Sequence, residues 1–172
     1  IYTLPILERH LLDPEARALC LFPLKDLAQD QLAALTGLCA AWPEEARPSA
    51  ALYDGDTSDH FRRKIRADPP TVLISNPEML HLALLPHHEQ WVAFFAGLAH
   101  VVVDEAHTYR GVFGSHMAQV FRRLNRIAGR YGARPTYVFC TATVGNPGEL
   151  AAGLMGGPDG GKAPASGQAD AP

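Results

Sequence analysis

Residues 98–107 read LAHVVVDEAH, and this stretch limits the fold more than any other. Val101, Val102 and Val103 are three β-branched residues in a row, so the strand they form is apolar on both faces. Strands of that kind lie inside parallel sheets covered by helices on both sides. Open α/β sheets bind their ligands outside the carboxyl ends of the strands. Asp104 and Glu105 follow the valines directly and therefore stand at that rim. An aspartate there can hold a magnesium ion through water. The glutamate beside it can orient and deprotonate a water for attack on a phosphoryl group. A strand end whose carboxylates merely face solvent accounts for the same residues, so the neighbours must decide.

Helical and strand patterns alternate along the rest of the chain in the order αβαβαβααβαβα. This predicts an α/β domain with a mainly parallel sheet. Leu4, Leu7 and Leu11 mark a first helix, and ALCLFP over 18–23 reads as a buried strand. Lys25 to Trp42 reads as a helix, Ser49 to Tyr53 as a strand, and Asp54-Gly55-Asp56 as a turn. Thr57, Ser58 or Asp59 caps the helix that follows. That helix carries Arg62, Arg63, Lys64 and Arg66, a run that reads as a solvated face or as a track for a nucleic-acid backbone. Asn76 and Pro77 open another helix as N-cap and first residue. Glu89 to Leu98 reads as a helix burying Trp91, Phe94 and Phe95. Gly111 and Gly114 loosen the chain before a long helix from about Ser115 to Tyr131. Thr136 to Cys140 is the last strand, and Asn146-Pro147 opens a short helix to about Met155. The domain thus spans 1–155, and 156–172 is a flexible Gly/Pro/Ala-rich tail.

Composition removes several classes of function. The 172 residues suffice for one domain with a substantial core, and 47% hydrophobic content excludes a wholly disordered chain. A net charge of −3 leaves no global footprint for nucleic acid, so any such contact is local. Cys20, Cys39 and Cys140 form no CxxC pair and read as buried free thiols of a reducing cytoplasm. No apolar run approaches a membrane span, so no membrane partner is expected. His87 and His88 lack a second ligand pair at metal-binding spacing and read as surface histidines.

Asp104-Glu105-Ala106-His107 resembles motif II of the superfamily 2 DEAD/DEAH-box helicases. Thr141-Ala142-Thr143 resembles their motif III, residues 22–31 (FPLKDLAQDQ) motif Ia, and residues 75–81 (SNPEMLH) motif Ib. The segments 108–116 (TYRGVFGSH) and 53–57 (YDGDT) resemble the MrfA-type branch of DNA-repair helicases. The likeness runs in family order over about 1–155, which is more specific than any single motif.

The resemblance implies the first RecA-like motor domain of an ATP-dependent DNA helicase, a three-layer fold that uses ATP and Mg2+. It implies that Asp104 holds the metal through water and that Glu105 activates the attacking water. His107, Thr141 and Thr143 would couple hydrolysis to movement on DNA, the threonine hydroxyls bonding His107 or the acids. Lys25, Asn76 and Arg110 would touch DNA, although Asp26 stands where the family usually has a small residue. A second RecA-like domain would be the partner. The G-x-x-x-x-G-K-[ST] loop appears nowhere in the chain. The expectation is therefore a sheet lacking its first, P-loop, strand, which would border the Thr136–Cys140 strand. The chain alone is then expected to show no DNA-stimulated ATP hydrolysis. A non-catalytic nucleic-acid-binding or scaffold domain is the alternative. A metal hydrolase built on Asp104, Glu105 and His107 is a third reading, which lacks further ligands.

Overall fold

The computed structural model describes residues 2–142 and 145–156. Thr143 and the tail beyond Gly156 lie outside the described residues. Helix α1 spans Thr3–Leu12, β1 Arg17–Leu21, α2 Lys25–Cys39, β2 Ala50–Tyr53, α3 Asp59–Ala67 and β3 Val72–Ser75. The single turn α4, Pro77–Met79, runs into a π-helical turn at Leu80–Leu84. Then come α5 Val92–Ala96, β4 Leu98–Val103, α6 Gly111–Arg130, β5 Thr136–Phe139 and α7 Pro147–Met155.

The strands lie in the order β2-β3-β1-β4-β5, with every neighbouring pair parallel. Period-two alternation sorts their side chains into two cores. Along β1, Ala18 and Cys20 pack with Ile6 of α1 and Ala28 of α2, while Leu19 and Leu21 enter the larger core on the opposite face. β4 does the same: Val102 joins the first core, and Val101 and Val103 join the second. All three valines are fully buried. Each such burial is worth about 1.5–3 kcal/mol, which is why the run must be a central strand. The second core holds Trp91, Phe94, Phe95 and the apolar face of α6 from Met117 to Ile127. Helices thus cover both faces, and the parallel three-layer α/β fold is as expected.

Two boundaries differ from the expectation. The long helix begins at Gly111, not near Ser115. Gly111 starts it at φ +58°, and a Cβ on Gly114 would lie 2.5 Å from the Tyr109 carbonyl oxygen. The glycines do not loosen the approach; they let the first turn close onto the Tyr109 backbone. The helix expected over 89–98 is split into a 3-10 turn, His88–Trp91, and the short α5. Leu98 belongs to β4, where it pairs with Arg17 of β1. The aromatic residues are buried as expected.

Candidate active site at the strand tips

β4 delivers Asp104 to the carboxyl rim with one more ladder bond, from the Asp104 N–H to the Leu21 carbonyl at 3.0 Å. Asp104 Oδ1 then accepts the Glu105 N–H at 2.9 Å. Glu105 has φ 51° and ψ 40°, and it is the only described non-glycine residue with positive φ. A left-handed conformation costs a side-chain-bearing residue roughly 1–2 kcal/mol. Here it turns the chain sharply off the strand, so that Ala106–Thr108 can wind a 3-10 turn. The Thr108 N–H and hydroxyl both donate to the Glu105 carbonyl, at 2.9 and 2.8 Å. The Ala106 N–H donates to the Cys140 carbonyl at 2.8 Å, which joins the acidic turn to the segment leaving β5.

His107 Nδ1 lies 3.1 Å from Glu105 Oε2, yet the pair is off the line of a hydrogen bond. It is a close contact between two side chains that are each about a third exposed. Thr141 follows Cys140 directly and so lies beside this turn. Among the described residues its buried hydroxyl has no hydrogen-bond partner, and the expected bond to His107 or the acids is not formed. The Tyr109 hydroxyl beneath the turn is buried and unpaired too. Burial, and then the Asp104 carboxylate, push the Tyr109 phenol upward. Burial, with Cys140 and Asp104 behind it, pushes the Cys20 thiol up to about 12, so this cysteine is an inert core residue. Thr143 falls outside the described residues.

The other half of the rim lies over β1, β3 and β2. Lys25 and Asn76 line one small notch together with Leu24, Asp54 and Ser75. Asn76 caps its helix by accepting the Met79 N–H at 2.8 Å, which leaves its amide NH2 as the end that can meet a phosphate. Lys25 Nζ donates to Asp56 Oδ2 at 2.5 Å. No local pattern signals this pairing, because 31 positions separate the partners. Arg110 is not part of the notch. It is exposed and lines a separate groove between α6 and α7 with Ser115, Gln119, Arg122 and Glu149.

The loop that carries Asp56 is held from within. The Asp54 carboxylate is 5% exposed, and its Oδ1 accepts the Asp56 N–H, the Thr57 N–H and the Thr57 hydroxyl at 3.0, 2.9 and 3.0 Å. Arg62 donates to the carbonyls of Thr57, Asp54 and Gly55 at 2.8, 3.0 and 3.2 Å. Its guanidinium also stands 5.6 Å from the Tyr53 ring centroid. Arg62 is thus a clamp rather than part of a solvated basic face. The turn signal at Asp54–Thr57 was legible in the sequence, but nothing there singled out Arg62 from its basic neighbours.

Among the described residues, no three or more His, Cys, Asp or Glu side chains are grouped to hold a metal. No described helix is long and apolar enough to cross a membrane. The donor set fits a cation that takes one carboxylate and completes its shell with water and phosphate oxygens, which is the habit of Mg2+.

Comparison with known proteins agrees with this geometry. The sequence profile of the DEAD/DEAH box helicases matches residues 1–150. The uncharacterized ATP-dependent helicase YprA of Bacillus subtilis is 47% identical over 157 residues, covering 91% of this chain and 21% of that protein. The ATP-dependent helicase hrq1 of Schizosaccharomyces pombe is 39% identical over 148 residues, covering 86% of this chain and 14% of its own length. The crystal structure of the DUF1998 helicase MrfA bound to DNA and AMPPNP superposes with a TM-score of 0.84 at 47% identity, covering 91% of this chain and 22% of that one. The chain therefore spans about a fifth or less of the length of these relatives.

Proposed function

Because this chain belongs to the DEAD/DEAH box helicase family, we propose that it serves as part of the first RecA-like motor domain of an ATP-dependent DNA helicase. The observation that carries this reading is the placement of Asp104 and Glu105 on a sharp turn at the ligand-facing rim, bonded through Ala106 to the segment after β5. The DNA-bound and AMPPNP-bound relative supports DNA and ATP as the ligands.

Bound Mg2+ would neutralise charge on the nucleotide phosphates. Asp104 is the residue to hold it, through water, because one of its oxygens is already fixed by the Glu105 N–H. Glu105 orients a water and takes its proton, and its left-handed backbone aims the carboxylate off the strand axis. His107 touches that carboxylate and can sense its charge. Thr141, with its unpaired hydroxyl, and Thr143 are the coupling residues. Lys25 and Asn76 meet DNA phosphates at the notch between β1 and β3, and Arg110 meets the strand elsewhere. A second RecA-like domain completes the motor, which works in DNA repair in the cytoplasm.

The test is ATP turnover by the full-length protein carrying this domain. Glu105→Gln is expected to lower turnover by about 10²–10⁴-fold, the usual weight of a positioned general base, while nucleotide still binds. Unchanged turnover would overturn the reading.

A further inference from the structure

Lys25 and Asp56 form an ion pair at the entrance of the notch that this chain is read to offer to DNA. The two side chains are 53% and 76% exposed, so the pair can open without disturbing the core. The partner is not a wandering surface acid. Asp56 sits on a loop in which the Asp54 carboxylate collects three hydrogen bonds and Arg62 binds three carbonyls. That loop is anchored further through the Arg62–Tyr53 contact, and Tyr53 packs edge-on against the buried Trp91 at 5.1 Å. The scaffold therefore fixes the backbone from which the Asp56 side chain reaches Lys25. A carboxylate and a phosphate ask the same thing of an ammonium group, namely an anionic oxygen at hydrogen-bond distance. Both cannot hold Lys25 in the same way.

We propose that Asp56 is a built-in competitor of the DNA phosphate at Lys25, so that strand binding must exchange a carboxylate for a phosphate. This rests on the reading of Lys25 as a DNA contact. The exchange has two consequences. Affinity is lower than an unpaired lysine would give, by about 2- to 5-fold for an exposed pair. The salt dependence is also shallower. A lysine that leaves one anion for another gains less from counterion release than a free lysine, which adds about 0.7 to the slope of log K against log salt on a single strand. The loop thus keeps the grip weak enough to be released at each step along the strand.

The experiment is a titration of a fluorescein-labelled dT20 with the full-length protein carrying this domain, read by anisotropy at several salt concentrations. It uses wild type, Asp56→Asn, Lys25→Ala and the double variant. Asp56→Asn is expected to bind about 2- to 5-fold tighter with a slope steeper by about 0.7. Both gains should vanish in the Lys25→Ala background. Unchanged or weaker binding by Asp56→Asn, with Lys25→Ala still impaired, would overturn the proposal and make Asp56 an aid that orients the lysine. If Lys25→Ala binds like wild type, or no form binds, the DNA contact at Lys25 is itself wrong and the proposal falls with it.

Discussion

Two turns at the same rim are built on opposite plans. In the 54–58 loop every inward polar group is matched: one buried carboxylate gathers three donors, and one guanidinium gathers three carbonyls. In the 104–110 turn a glutamate is held left-handed, and the Tyr109 hydroxyl and the nearby Thr141 hydroxyl are buried without partners among the described residues. The first loop is at rest in its own bonds. The second stores strain and unmet polarity, the pattern of a site whose groups act on something else. In the proposed motor these are the DNA-gripping and the hydrolytic parts, and the grip needs a fixed geometry while the hydrolytic corner must change.

The largest test of this contrast is Asp54→Ala. It removes the hub of the satisfied loop and the side-chain acceptor of two backbone N–H groups, and is expected to cost about 3 kcal/mol in urea unfolding. A loss below about 0.5 kcal/mol would mean that the loop is not held by its carboxylate. Gly114→Ala is expected to cost about 2 kcal/mol, since its new Cβ meets the Tyr109 carbonyl and the helix must back away from the acidic turn. Wild-type stability there would show that the turn yields freely. The smallest effect has the opposite sign. Glu105→Gly should gain about 0.5–1 kcal/mol by removing left-handed strain, even as it ends catalysis in the full-length protein. A loss of stability would show that the side chain contributes more than its backbone costs.

The sequence carried the sheet and the acidic corner because both depend on local pattern. Three consecutive valines can be buried on two faces only in a central strand, and residues right after such a strand have one place to go. Asn76-Pro77 fixed a cap in the same way, since the amide reaches a backbone N–H three residues on. Long-range geometry was not legible. The residues around Lys25 carry no hint that Asp56 holds it. Arg62 looked like its neighbours because what sets it apart is a side chain folded back over a turn. Gly111 and Gly114 read as looseness because a single sequence does not reveal that Gly111 starts the helix at positive φ or that the Tyr109 carbonyl lies against Gly114. Thr141 was expected to be bonded, and its hydroxyl is instead buried and alone. Proximity followed from strand order, whereas pairing depends on rotamers that sequence does not set.

The link from the Ala106 N–H to the Cys140 carbonyl has a mechanical consequence. Among the described residues, it is an amide-to-carbonyl latch between the acidic corner and the chain leaving β5, next to the bond from the Cys140 N–H to the Val103 carbonyl. A latch of this kind is worth about 1 kcal/mol net, a sum that thermal fluctuation nearly meets. A small push on the acidic corner is therefore handed on to the chain at Cys140, just past the tip of β5.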